Sequence, residues 1–301
     1  MTAKIILNPY SARWRAQERF PEASSALKKA GVAFEVERSE KANDCVDLAE
    51  QAVKDGFSPI IAAGGDGTIG EVVNGIAKAT PKGEDFPTFG VLPLGTANDL
   101  VHNLGLPLDF DEMAKIIASG KTRKMDLGAV NGRYFANNTA LGLEPLVTVI
   151  QEGIGWLKGV PRYLYAALSG IYQGPGWHAE IKWDEGEYTG DISLISIGNG
   201  AVTGGLFYMT PHANLFDGKL TFSFGYRKSR LGLLATLPKL MDSEGKVFEE
   251  KEWLYEINTK KLSVKLAESS PAHTDGEIFT HELYEANYEI FPACLPILVG
   301  E

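Results

Sequence analysis

The chain has 301 residues, 44% of them hydrophobic and 23% charged, with a net charge of −10. That length accommodates two domains with real cores, and the acidic balance argues against a nucleic-acid ligand, which demands basic surface. The two cysteines, Cys45 and Cys294, lack metal-site spacing and suit a reducing cytosol, and no run approaches the ~18 apolar residues that span a bilayer.

From residue 1 to about 124, strand and helix patterns alternate. Strands are predicted near 4–8, 33–37, 59–63 and 88–92, and helices near 13–29, 44–54, 68–79, 97–103 and 110–119. Lys4–Leu7 gives only a short apolar run before Arg13 and Arg15, which reads against a secretory leader. Gly31, Gly56 and Gly120 stand where helices should stop. Such alternation predicts a parallel sheet with helices on both faces.

Two turns within this half carry chemistry. Ile60–Ala63 is an apolar strand that runs into Gly64, Gly65, Asp66, Gly67 and Thr68. Glycines there allow a sharp turn and close backbone approach to a ligand. Thr68 followed by Glu71 predicts a capping box, with the helix starting at Thr68. The free N–H groups of that first turn and the helix dipole make an anion site, with phosphate the usual anion. A carboxylate beside a phosphate repels it unless a cation intervenes, so Asp66 implies Mg²⁺. The second turn ends the strand at Phe89–Leu92 with Gly95, Thr96, Asn98 and Asp99. Two polar glycine turns at the carboxyl ends of parallel strands are expected to face one crevice.

Past Met125 the pattern changes. Asn131-Gly132, Asp184–Gly186 and their flanks read as hairpins, and Lys219–Gly225, Glu252–Ile257 and Lys261–Leu266 add strands. An antiparallel sandwich or barrel is predicted, with helical inserts around Ile154–Ile171 and Ser229–Leu240. His102, His178, His212, His273 and His281 lack helical metal-ligand spacing and read as surface or packing residues. Asp275-Gly276-Glu277 reads by itself as an exposed turn. The stretch Gly155–Leu168 sets Trp156, Tyr163 and Tyr165 with Lys158 and Arg162 beside an apolar stripe. It suits either a lipid headgroup layer or an ordinary helix packed on the sandwich. Arg227, Lys228 and Arg230 form a further basic cluster.

GGDGT at 64–68, GTAND at 95–99, Asn214–Gly218 and Asp275–Glu277 together resemble the diacylglycerol kinase catalytic-domain family of bacterial lipid kinases, related to sphingosine and ceramide kinases. The resemblance runs from Ile5–Pro9 to Pro296–Val299. It implies an α/β N-terminal domain like that of NAD kinases and phosphofructokinases over 1–124, with 293–301 packing back on it, and a β-sandwich lipid domain over 125–292. It implies ATP and Mg²⁺ as cofactors and nucleotide contacts at Asn8, Ser39, Gly64, Gly65, Asp66, Gly67, Thr68, Glu71, Gly95, Thr96 and Asn98. Asp66 and Asp99 are the implied catalytic metal ligands. A structural Mg²⁺ is implied at Asn214, Asp217 and Lys219. The resemblance also implies that Asp275 or Glu277 is the catalytic carboxylate. The chain departs from the family with Ser39 for threonine, Ala12 for glycine and Phe216 for an acidic or amide residue.

The function expected is a lipid kinase that phosphorylates a hydroxyl of a diacylglycerol-like lipid, cytoplasmic and transiently membrane-associated, without a transmembrane segment. A homodimer is compatible with the chain. The competing readings are an NAD kinase-like or other small-polyol kinase, or a catalytically silent nucleotide-binding regulator.

Overall fold

A computed structural model describes residues 2–300 apart from 82, 158, 175 and 250–252, and leaves out the side chains of 159, 160 and 163. Lys158 and Tyr163 of the proposed lipid segment, and Glu252 of a predicted strand, therefore lie outside what is described.

The first half alternates β1 (Ala3–Leu7), α1 (Arg15–Lys29), β2 (Phe34–Arg38), α2 (Asp44–Lys54), β3 (Ile60–Gly64), α3 (Asp66–Ala79), β4 (Phe89–Pro93), α4 (Asp99–Asn103) and α5 (Phe110–Ser119). Every residue of β1, β3 and β4 is buried, as the apolar runs IIL of β1, IIAAG and FGVLP require of strands covered on both faces, and Lys4 of β1 pairs with Glu35 and Glu37 of β2. Phe34–Arg38 alternates partly buried and exposed positions and takes the edge. The parallel order is β4-β3-β1-β2. From β1 the chain moves one way to β2 and then back past β1 to β3. The direction of winding therefore reverses between β1 and β3, and a crevice opens beyond their carboxyl ends.

The second half continues with β5 (Thr122–Val130), β6 (Arg133–Phe135), β7 (Asn138–Gly142), α6 (Leu143–Glu152), α7 (Gly159–Gln173), β8 (Trp177–Trp183), β9 (Gly186–Ile192) and β10 (Leu194–Gly198). It ends with β11 (Val202–Thr203), β12 (Phe207–Tyr208), β13 (Leu220–Gly225), α8 (Arg230–Thr236), α9 (Lys246–Glu249), β14 (Leu254–Thr259), β15 (Lys261–Thr274) and β16 (Glu277–Leu298). The strands are antiparallel apart from one junction, where Ile297 of β16 pairs in parallel with Phe89 of β4 and joins the two halves into one sheet. Period-2 alternation sorts β10 between two cores. Ile195 and Ile197 fill the sandwich interior with Leu141 and Phe222, while Leu194 packs with Leu143 and Val147 of α6.

The predicted fold class is the observed one, with three local differences. The helix α3 begins at Asp66, two residues before the predicted cap, because extended Gly65 is the N-cap. The helix α6 is additional to the predicted inserts. The last strand extends over 22 residues rather than only the final apolar segment.

Candidate active site

The two glycine turns meet. A Cβ on Gly95 would collide with Gly65 Cα and lie 2.7 Å from Asn98 Oδ1, so only glycine lets the backbones after β3 and β4 cross this closely. Asn98 takes a left-handed φ of 54° and shapes its own turn, accepting from Gly95 N–H at 3.1 Å. It is buried. Gly65, Gly67 and Thr96 line a cleft of about 400 Å³, with Asn8, Ser11, Asp66, Thr68 and Glu71 from the first domain and Asp275, Gly276 and Glu277 from the second.

The predicted capping box is absent. Thr68 Oγ1 instead lies 3.1 Å from Asn8 Nδ2 and 3.0 Å from Ser11 Oγ, tying the turn after β1 to α3. Gly64 gives Thr68 its room, since a Cβ there would overlap the threonine side chain. Glu71 Oε2 accepts from Cys45 N–H at 3.2 Å, at the start of α2. With helical bonding beginning at Ile69 N–H to Gly65 O, the N–H groups of Asp66, Gly67 and Thr68 precede the ladder and form the free first turn. Ala12 occupies the family's glycine position with φ 52°. Ser39 is 3% exposed at the end of β2 and is not among the residues lining the cleft.

The four predicted carboxylates separate into two kinds. Asp99 is buried, and its two oxygens accept from Gly204 N–H at 2.7 Å and Gly205 N–H at 2.6 Å. It clamps α4 to the loop after β11 and does not line the cleft. Burial, and then the charge of Asp66, push its carboxyl up to about 7. Asp275 is buried with φ 48°. Its oxygens accept from Ala136 N–H at 2.9 Å, Asn137 N–H at 2.8 Å and Asn138 N–H at 3.1 Å. Burial still holds its carboxyl up at about 6.

Asp66 and Glu277 line the cleft beside Asp275, with fewer protein partners than it has. One Asp66 oxygen accepts from Leu100 N–H at 3.2 Å, and burial raises its pKa. Glu277 has no hydrogen-bond or ion-pair partner among the described residues. Its pKa is raised by partial desolvation and then by the charges of Glu71 and Glu152. Its side chain rests on Gly67, where an added Cβ would lie 2.5 Å from Glu277 Cγ and 2.8 Å from Cδ. Asp275 rests likewise on Gly70, with Oδ2 3.1 Å from an added Cβ. Glycines three apart on α3 share a face, so the turn at 275–277 docks on a helix surface without side chains.

Three groups escaped the sequence reading. Arg133 donates from Nε to Thr274 Oγ1 at 2.8 Å, and its charge opposes the upward shifts of Glu71 and Glu277. Asp126 is buried and accepts from Gly218 N–H and Ala293 N–H, each at 2.6 Å. His273 pairs with Glu144 in the interior at 2.9 Å. The predicted metal loop makes two Asx turns, Asn214 Oδ1 accepting from Phe216 N–H and Asp217 Oδ1 from Lys219 N–H. Among the described residues no group of three or more His, Cys, Asp or Glu side chains is placed to hold a metal ion.

On the outer side, Leu164, Tyr165, Leu168 and Tyr172 of α7 are 45–75% exposed, and Trp156 is 71% exposed. Arg230 stacks on Tyr172 at 5.2 Å. Leu157, in the same stretch as Trp156, is partly buried against the helical core. No described helix is long and apolar enough to cross a membrane.

Residues 2–130 match the model described as diacylglycerol kinase catalytic domain, and residues 137–299 the one described as YegS C-terminal NAD kinase beta sandwich-like domain. A diacylglycerol kinase of Staphylococcus carnosus (strain TM300) is 31% identical over 91% of this chain and 88% of its own. One of Staphylococcus aureus (strain MRSA252) is 32% identical over 91% and 85%. The crystal structure of a diacylglycerol kinase from Bacillus anthracis str. Sterne shares the fold with a TM-score of 0.74, at 20% identity, over 99% of this chain and 97% of that one.

Proposed function

The chain belongs to the diacylglycerol kinase family, and on that premise we propose that it transfers the γ-phosphate of ATP to a hydroxyl of a diacylglycerol-like lipid, with Mg²⁺ as cofactor. The observation that carries this reading is Glu277: a carboxylate from the second domain lies against Gly67, in the free first turn of α3. A proton acceptor is thereby held beside an anion cradle, which is what phosphoryl transfer to an alcohol needs.

The glycine crossing and the first-turn N–H groups of α3 suit the nucleotide phosphates, which approach backbone and not side chains. Asp66 is the carboxylate suited to hold a cation there, and the cation would neutralise charge on the phosphates. Glu277 takes the proton of the acceptor hydroxyl as its oxygen bonds to phosphorus and the bond to the departing ADP breaks. Asp275 fixes the turn that presents Glu277 through its three N–H bonds. Asp99 keeps the GTAND turn in register with the second domain. A structural cation at Asn214, Asp217 and Lys219 remains part of the proposal: Asp217 is exposed and commits one oxygen to its turn. The exposed aromatic and aliphatic face of α7, with Arg230 stacked on Tyr172, suits peripheral contact with a membrane from the cytoplasm.

The test is transfer of labelled γ-phosphate to a panel of lipids and to NAD. Lipid products are expected. Glu277→Gln should lower kcat by ~10²–10⁴ at nearly unchanged melting temperature, whereas Asp275→Asn should lower both. Phosphorylation of NAD with none of any lipid would overturn the proposal.

A further inference from the structure

Arg133 brings a permanent positive charge to the turn that carries Glu277, and the transfer step above leaves it unused. Its place follows from the hairpin. Thr274 and Glu277 stand opposite each other where β15 turns into β16, across Asp275 and Gly276, whose φ values of 48° and 81° make the tight turn. Directly opposed residues project on one side of an antiparallel pair, and so do residues two apart along a strand. Thr274, Glu277 and Phe279 therefore share a face. Half-buried Arg133 lies on that face. Its Nε donates to Thr274 Oγ1 at 2.8 Å, and its guanidinium carbon is 5.7 Å from the centre of the Phe279 ring. Both contacts are neighbours of Glu277.

The backbone that carries Arg133 is fixed as well. Asn74 Nδ2 donates to Tyr134 O at 2.8 Å and Asn74 Oδ1 accepts from Tyr134 N–H at 3.0 Å, so β6 is bound to α3. Asn74 follows Gly67 and Gly70 along the helix face on which Glu277 and Asp275 rest. The helix, β6 and the hairpin thus close a ring of contacts. The N–H groups of 136–138 secure Asp275, and the Arg133 side chain secures the strand position opposite Glu277.

The guanidinium is otherwise unspent. Beyond Thr274 it makes no hydrogen bond, and no ion pair, among the described residues. An ion pair would occupy the Glu277 oxygen that receives the proton, whereas a charge held one step away leaves both oxygens open. That charge opposes the push of Glu71 on α3 and Glu152 at the end of α6, as His273 does from β15. We infer that Arg133 is a positioning residue for proton transfer, holding the Thr274–Glu277 end of the hairpin on α3 while leaving the Glu277 oxygens open to the acceptor hydroxyl. This rests on the lipid-kinase reading above.

Labelled phosphate transfer to dioleoylglycerol is followed across pH with the full chain, beside a calorimetric melt of each variant. Arg133→Met keeps the length of the side chain and loses both charge and donor. It should lower kcat about tenfold, the worth of one hydrogen bond to a charged group, at nearly unchanged KM for ATP and for lipid. Without the cation Glu277 holds a proton more tightly, so the acid limb of kcat/KM should move to higher pH. Arg133→Lys restores the charge without the planar fork, and should return the limb towards its parental place while recovering kcat only in part. Added to Glu277→Gln, Arg133→Met should cost almost nothing more. A parental kcat in Arg133→Met, an unmoved acid limb, or a fully additive loss beside Glu277→Gln overturns the inference. If the parent phosphorylates no lipid, the kinase reading fails instead. The coupling of Arg133 to Glu277 is then read from the carbon-13 titration of the Glu277 carboxyl, identified by its loss in Glu277→Gln, and a midpoint that does not rise in Arg133→Met overturns it.

Discussion

Gly67→Ala tests the central contact with a single methyl. The added Cβ would lie 2.5 Å from Glu277 Cγ and nearer still to Oε1, and ordinary van der Waals contact begins at 3.4 Å, so the glutamate must retreat by about 1 Å. It can do so, being a flexible side chain without a partner among the described residues. Displacement of a reacting group by ~1 Å can cost ~10²-fold in rate. The fold should not suffer. Gly67 lies in the first turn of α3 and is not among the positive-φ glycines, so alanine there gains about 0.5–1 kcal/mol of helix propensity. Expected, then, is a kcat about a hundredfold lower with a melting temperature unchanged or slightly raised. The assay is labelled phosphate transfer to dioleoylglycerol beside a calorimetric melt and an ATP titration. Combined with Glu277→Gln, the second substitution should add almost nothing, because both act on one carboxylate. A normal kcat in Gly67→Ala, or a loss confined to ATP affinity, would refute the placement of Glu277 as the proton acceptor.

Two further outcomes follow from the charges and from the outer face. Asp99 is raised from 3.8 to about 7 in the folded protein, so between these values the folded state holds a proton that the unfolded chain has released. Stability should therefore fall as pH rises from about 4 to about 7 and level off above, by at most about 4 kcal/mol at about 1.4 kcal/mol per pH unit. Asp66, Asp275 and Glu277 are shifted the same way. Asp99→Asn should flatten the slope in urea titrations across that window, and an unchanged slope would contradict the assignment. Replacing exposed Trp156, Leu168 and Tyr172 by glutamate should abolish sedimentation with anionic vesicles and lower lipid phosphorylation at least about tenfold, with ATP affinity and melting temperature intact. A fall in melting temperature would show a packing role instead.

The apolar strands and glycine turns of the first domain were legible because burial on both faces and close backbone approach leave few residue choices. The hairpin at Asn131-Gly132 was legible for the same reason, since both residues take positive φ, 48° and 83°. The helix α6 was not: LEPLVTVIQE carries Pro145 in its first turn and the β-branched run Val147, Thr148, Val149 and Ile150, and its packing on β7, β10 and β15 overrides a weak local preference. The partners of the acidic residues were hidden too. Asp66, Asp99, Asp275 and Glu277 look alike in sequence, each beside a glycine or in a polar turn. What divides them is which backbone N–H groups fold up against them, and for Asp99 and Asp275 those belong to segments about a hundred residues or more away. Asp126 shows the same limit, since Gly218 and Ala293 meet only in the folded chain.

That last contact bears on how a remote loop can matter to the transfer site. Glu277 is the first residue of β16 and Leu298 the last, so one strand runs from the cleft to the pairing of Ile297 with β4. The strand changes register between Phe291 and Leu295, and Ala293 within that break has φ 49°. Asp126 pins the break through Ala293 N–H, and through Gly218 N–H it pins the 214–219 loop to the same point. Two bonds to one buried carboxylate thus couple the loop to the strand that carries Glu277. A structural cation on Asp217 would act on the reaction by this route. Loosening the loop would free the bend, and the effect would reach Glu277 along β16. Asp217→Ala should then weaken activity most at low Mg²⁺, and Asp126→Asn should make that dependence disappear while lowering stability at every Mg²⁺ concentration. If Asp126→Asn leaves the Mg²⁺ dependence of activity as it was, the loop reaches the site by some other path.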